Sequence, residues 1–188
     1  MESNSVSRAP EMRRVAVFGN AGGGKSTLAR QLSRITHLPL HSLDTIKYKP
    51  GGGEVSHDEY LQIHSELLCE DEWIIDGFGC VSSAWERFSA ADTLIYVDLP
   101  LLTHYMWVTK RLIKGLVVTP EGWPEDSPMW SSTLNSYRVL RLCHEKLTPR
   151  YRQLVTEQAN NKRVHHLRSS RSMKSFVTAV TSEYSSVR

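Results

Sequence analysis

Apolar residues follow two alternating rhythms along the chain. Five short runs rich in β-branched, leucine and aromatic residues predict strands: VAVF (15–18), LPLHSL (38–43), WIID (73–76), TLIYVD (93–98) and RVHHL (163–167). Between them the spacing lengthens to that of a helix. KSTLARQLSRI sets Leu28, Leu32 and Ile35 on one face, and SHDEYLQIHSELL does the same with Tyr60, Ile63, Leu67 and Leu68. Ser56, with Glu59 three residues on, has the spacing of a capping box at the start of the second helix. Strands that alternate with helices bury both faces of a sheet and need crossover connections. The pattern therefore predicts a doubly wound α/β domain built on a parallel sheet.

One stretch follows neither rhythm. GLVVTPEGWPEDSPMWSSTLN (115–135) carries three prolines and two tryptophans without a sustained period. Long irregular insertions in compact domains are functional lids or disordered segments, and the large apolar residues Trp123, Met129 and Trp130 favour a lid, spanning about 112–136. At 188 residues the chain can bury one core but not two ordinary ones. A single domain is expected over 13–182, between flexible tails at 1–12 and 183–188.

Composition adds exclusions more than identities. With 40% hydrophobic and 23% charged residues the balance is that of a soluble protein, and a net charge of +3 is too small to mark a nucleic-acid binder. The apolar run TLIYVDLPLLTHYMWV is broken by Asp98 and Pro100, so no membrane span is expected. The polar start MESNSVSRAPEMRR lacks the apolar centre of a secretory signal, which makes the cytoplasm the expected compartment. Cys69, Cys80 and Cys143 are odd in number and lack C-x-x-C spacing, as expected of reduced thiols.

The strongest chemistry lies in GNAGGGKS. Gly19, Asn20, Ala21, Gly22, Gly23, Gly24, Lys25 and Ser26 satisfy G-x-x-x-x-G-K-[ST], between a predicted strand and a predicted helix. Such a loop turns its backbone N–H groups inward around a phosphate, which side chains would obstruct. Lys25 is expected to reach the β- and γ-phosphates, Ser26 to ligate Mg2+, and Thr27 to lie near the α-phosphate. A magnesium nucleotide also needs an acid at a neighbouring strand end. Asp76 and Asp98 both qualify, and Asp76 is favoured because Gly77 after it permits close backbone approach. Cations able to close over a transferred phosphate flank the irregular segment: Arg111 before it, and Arg138 and Arg141 after it, three apart on one helical face.

VAVFGNAGGGKSTLARQL, LPLHSLD, EWIIDGF, ADTLIYVDLP and HEKLTPRY, in this order, resemble the motifs of nucleoside monophosphate kinases of the adenylate kinase type. HSLDTIKYKPGGGEVSHDEY and the GWP segment further resemble small adenylate-kinase-like P-loop proteins described as DNA topology modulation protein (FlaR-related). The resemblance implies a five-stranded parallel sheet of order 2-3-1-4-5 and ATP with Mg2+ as cofactors. It also implies an acceptor arm over about 44–70, opened by Asp44, which has a helix N-cap as its alternative role. Asp76 and Gly77 match the Asp-Gly-Phe motif whose aspartate serves magnesium. Those kinases continue with Pro-Arg, where this chain has Gly79 and Cys80, so the arginine that grips the acceptor is missing there. Arg87 lies where the FlaR-like proteins carry an arginine and could take over the contact, its alternative being an exposed helix arginine. An adenine-contacting loop is implied around Ser169 to Ser172.

The expected function is that of an ATP-dependent phosphotransferase acting on a nucleoside monophosphate or another small acceptor, as monomer or weak homodimer. Shikimate and gluconate kinases share the architecture, and fold alone does not choose among acceptors. The alternative, a nucleotide-responsive protein that affects DNA topology, lacks a recognition helix, a zinc finger or a dense basic stripe in the sequence.

Overall fold

The computed structural model describes residues 12–46, 55–115 and 129–186. Its elements run β1 (Arg14–Gly19), α1 (Lys25–Thr36), β2 (Leu40–Ser42), α2 (Leu43–Ile46), α3 (His57–Leu68), β3 (Trp73–Asp76) and α4 (Val81–Ala90). They continue with β4 (Thr93–Val97), α5 (Leu101–Gly115), α6 (Met129–Lys146), α7 (Thr148–Gln158), β5 (Arg163–Leu167) and α8 (Ser170–Ser185). The five strands form one sheet in the order β2-β3-β1-β4-β5, with every pairing parallel. Both the strand count and the order match the expectation. The second strand is shorter than LPLHSL predicts. Pro39 has no N–H to give a ladder, although its carbonyl accepts from Ile74, and Leu43 already turns into α2.

Period-two alternation on the inner strands sorts the core into two layers. Val15 and Val17 of β1, Ile74 of β3, and Ile95 and Val97 of β4 face α1 and α8, where Leu28, Leu32, Phe176 and Val180 cover them. Ala16, Phe18, Ile75, Leu94 and Tyr96 point the other way, against Tyr60, Ala84, Phe88, Tyr151 and Val155 of α3, α4 and α7. Phe18 centres the second layer, with ring centroids at 4.3 Å to Phe88 and 5.1 Å to both Tyr96 and Tyr151. Each such side chain withdrawn from water contributes on the order of 1.5–3 kcal/mol, and the aromatic pairs add to that. Met12 is buried in the first layer, only 2% exposed, just before β1. His165 and His166 go to opposite faces, as adjacent strand residues must: His165 lies against Phe176 and His166 stacks on Tyr96.

The core of this sheet aims the carboxyl ends of β1, β3 and β4 at one edge, which is where open parallel sheets bind ligands. Ser56 caps α3, accepting from the Glu59 N–H at 3.2 Å, which fixes the start of the helix predicted from the capping spacing. Of the expected lid, residues 116–128 lie outside the described residues. Its flanks end α5 and begin α6. Among the described residues no helix is long and apolar enough to cross a membrane.

Candidate nucleotide-binding site

The glycine loop links β1 to α1 and is shaped from both sides. Gly22 (φ 66°) and Gly24 (φ 76°) take the left-handed conformation that disfavours side chains. Behind the loop stands α5. A Cβ on Gly22 would come within 2.6 Å of the Val108 side chain, one on Gly23 within 2.9 Å of the His104 ring, and one on Gly24 within 2.9 Å of the Trp107 ring. The glycines thus keep space for α5 as well as turning amides inward. His104 is buried, 1% exposed, and its Nδ1 lies 2.8 Å from the Ala21 carbonyl. A carbonyl only accepts, so Nδ1 carries the proton. Burial, with the charge of Lys25 beside it, lowers the pKa of this histidine despite that bond and keeps the ring neutral. Asn20 ties the loop to α6, donating from Nδ2 to the Leu140 carbonyl at 3.0 Å while its Oδ1 accepts from the Ala21 N–H.

The start of α1 differs from the starts of α3 and α8. Ser56 and Ser169 place side-chain oxygens on the first amides of α3 and α8, whereas α1 begins at Gly24 with no side-chain cap and no acidic residue in its first turn. The positive end of a twelve-residue helix is left open to an anion from outside. Lys25 Nζ donates to the Asn20 carbonyl at 2.9 Å, which folds the ammonium back over the loop. Ser26 and Thr27 are exposed on the first turn.

The two candidate aspartates sit in different surroundings. Asp76 ends β3, is 1% exposed, and has Lys25 and Ser26 beside it. Burial raises its pKa, with Lys25 and the Ser26 hydroxyl opposing, and its Oδ1 is buried without a hydrogen-bond partner. An unsatisfied carboxylate oxygen beside a serine hydroxyl fits a hard cation or its water shell. Asp44 lies close, its Oδ1 3.4 Å from where a Cβ on Gly77 would be. Among the described residues there is no cluster of three His, Cys, Asp or Glu able to hold a metal. Asp98, the other candidate, is already engaged. Arg152 grips it with Nε and Nη2 at 2.8 and 3.1 Å, and His166 Nε2 lies 2.8 Å away. These partners outweigh burial and hold its carboxyl below the usual range. Beside it opens a cleft of about 530 Å³ lined by Asp98, Pro100, Arg152 and Arg168.

The remaining site residues are more dispersed. Arg87 is fully buried, with Nη2 3.2 Å from the Gly77 carbonyl, while Nε and Nη1 have no hydrogen-bond partner. Arg138 and Arg141 lie on exposed faces of α6, and Arg141 pairs with Glu145 at 2.9 Å. Arg111 is on α5, and its side chain lies outside the described residues. Ser169 and Ser172 form a reciprocal cap at the start of α8. Sequence reasoning missed His104, Trp107, Val108 and the Leu140 carbonyl as walls of the loop. The spacing of His104, Trp107 and Val108 on one helical face was the available signal, but it does not say what the face covers.

No protein-family model matches the chain, and no curated protein matches it by sequence. Solved structures do share its fold. Shikimate kinase from Acinetobacter baumannii, in complex with shikimate, matches with a TM-score of 0.59 at 14% identity over 94% of this chain and 95% of that one. Shikimate kinase from Bacteroides thetaiotaomicron gives 0.51 at 15% identity, over 91% of this chain and 97% of its own. A gluconokinase from Sinorhizobium meliloti 1021 gives 0.47 at 13% identity over 95% of each chain, too loose a match to argue from. At these identities the likeness is one of fold, shared with the two shikimate kinases.

Proposed function

We propose that this protein is a kinase that transfers the γ-phosphoryl group of ATP to a small-molecule acceptor. The observation that carries the reading is the meeting of an uncapped α1 N-terminus, Lys25, Ser26 and the half-satisfied carboxylate of Asp76 at one sheet edge. Lys25 exchanges the Asn20 carbonyl for phosphate oxygens, so that both partners of the bond are charged. Ser26 and Asp76 would hold Mg2+, which would supply positive charge to offset that of the phosphates during transfer. Gly19 to Thr27 receive the triphosphate, and Ser169 to Ser172 are the proposed adenine side.

On the acceptor side, Asp44 and Arg87 are the proposed contacts, and Arg111, Arg138 and Arg141 the proposed cations that close on the transferred group. Within this reading, the adenylate kinase-like and FlaR-related resemblance is the finer proposal, with Gly79 and Cys80 marking the departure from an adenylate kinase. A nucleoside monophosphate or a small hydroxylated metabolite is the proposed acceptor, and the cytoplasm the proposed compartment.

Calorimetry with Mg-ATP tests the nucleotide step. Lys25→Ala is expected to weaken binding by about 10- to 100-fold, the worth of one hydrogen bond to a charged group. Because Lys25 is only partly buried, the melting temperature should hardly move. Equal affinity in the two proteins would overturn the reading. Coupled assays over nucleoside monophosphates and hydroxy acids test the transfer step, and a panel in which nothing raises ATP turnover above background would refute it.

A further inference from the structure

The glycine loop contains one peptide whose orientation the local backbone does not decide. A trans peptide turns over by rotating ψ of the residue before it and φ of the residue after it, and a glycine in the second place accepts either sign of φ. The Ala21–Gly22 peptide is of this kind, with Gly22 at φ 66°. The peptide before it is held at both ends from within the loop. The Asn20 carbonyl accepts from Lys25 Nζ at 2.9 Å, and the Ala21 N–H donates to Asn20 Oδ1 at 2.9 Å. That amide is thereby spent inside the loop, and Gly22 supplies the next one.

The Ala21–Gly22 peptide is held from outside the loop. Its carbonyl accepts from His104 Nδ1 at 2.8 Å, across 83 residues of sequence. His104 has little freedom on α5, because it is 1% exposed and its ring lies 2.9 Å from where a Cβ on Gly23 would be. Val108, one turn further along the helix, closes on Gly22 in the same way at 2.6 Å. The C=O and N–H of a trans peptide point in opposite directions. With the Ala21 carbonyl drawn back onto α5, the Gly22 N–H points away from that helix and into the loop. Ala21 is itself exposed, so water can replace a lost bond to its carbonyl at small cost to folding. What the histidine supplies is direction more than stability.

We propose that His104 is a positioning residue for the nucleotide, whose Nδ1–H holds the Ala21–Gly22 peptide with the Gly22 N–H turned toward the bound polyphosphate. The inference rests on the reading of Gly19 to Ser26 as a phosphate loop and adds a residue remote in sequence to it. Released from His104, the peptide is free to turn over and present a carbonyl oxygen to the phosphate, which replaces a hydrogen bond by a repulsion. Held by His104, the amide is aimed before the ligand arrives, and binding is spared the cost of ordering it. The side chain touches the loop and not the nucleotide, so its effect passes through the backbone.

Calorimetry with Mg-ATP on the full-length wild type, His104→Leu and His104→Asn tests this. Asparagine keeps an N–H donor where the ring carries Nδ1 and gives up the rest of the ring, whereas leucine fills space without a donor. His104→Leu should bind about 10-fold more weakly and His104→Asn within about two-fold of the wild type. Thermal melts report packing separately. Asparagine leaves the larger gap against Gly23, so a purely structural role would make it the weaker binder of the two. In amide NMR spectra the Gly22 proton should move downfield on addition of Mg-ATP in the wild type and His104→Asn, but not in His104→Leu. His104→Gln, which carries its amide where the ring has Nε2, should behave like His104→Leu and replaces it if that variant does not fold. Equal affinities in His104→Leu and His104→Asn, or a Gly22 amide unmoved by nucleotide in the wild type, overturn the inference and leave the kinase reading standing. A wild type that binds no Mg-ATP overturns both.

Discussion

His64 makes the stability of this protein fall with acid in a way that one substitution should isolate. The ring is fully buried on α3 beside Tyr60, both nitrogens lack hydrogen-bond partners, and burial with the nearby charge of Arg87 lowers its pKa from 6.5 to about 4. A depressed folded value means that the unfolded chain binds the proton more readily. The contribution is therefore fully present above about pH 6.5 and is lost as pH falls from there toward 4. The gap between 6.5 and about 4 corresponds to roughly 3 kcal/mol in full, of which about 2 kcal/mol is lost between about pH 7 and pH 5. Urea unfolding followed by tryptophan fluorescence would measure this in the wild type and in His64→Leu, which cannot take up the proton. Subtracting the two pH profiles removes the aspartates, which titrate in both. The wild type should lose about 2 kcal/mol more than the variant over that interval. Parallel profiles, or a folded-state NMR titration of His64 with a midpoint near 6.5, would refute the reasoning.

Two further substitutions probe other contacts. Gly24→Ala puts a Cβ at a φ of 76° and 2.9 Å from the Trp107 ring, so it should cost about 1–3 kcal/mol in unfolding experiments and weaken Mg-ATP binding measured by calorimetry. Arg152→Met removes two hydrogen bonds from a buried Asp98. Because Arg152 is itself 56% exposed, the expected loss is about 1–2 kcal/mol near neutral pH, shrinking as acid carries the pH below the usual carboxylate range and protonates Asp98. Equal stability of this variant and the wild type at neutral pH would count against the pairing.

The inner strands β1, β3 and β4 were legible because they are buried on both faces and therefore read as compact apolar runs between turn residues. The loop was legible because a phosphate cradle forces glycine, lysine and serine into a fixed local order. What the chain places far apart in sequence was not. Nothing about HSLD or LLTHYMW announces that Asp44 approaches Gly77 or that His104 leans on Ala21, since both contacts arise only when crossovers bring strand ends to one edge. Of the two strand-terminal acids the glycine after it favoured Asp76 over Asp98, and only the third dimension reveals that Arg152 and His166 already occupy Asp98. Arg87, which the sequence offers as either an acceptor contact or an exposed helix residue, lies fully buried beneath the loop after β3.

The contact of His104, Trp107 and Val108 with the three consecutive glycines carries a lesson for anyone dissecting this chain. A fragment cut after β4 would retain every residue of the phosphate motif, yet its glycines would have nothing to lean on and would wander through the many conformations glycine permits. Transplanted into another scaffold without that helical backstop, the same eight letters would spell the motif and fail to hold its shape.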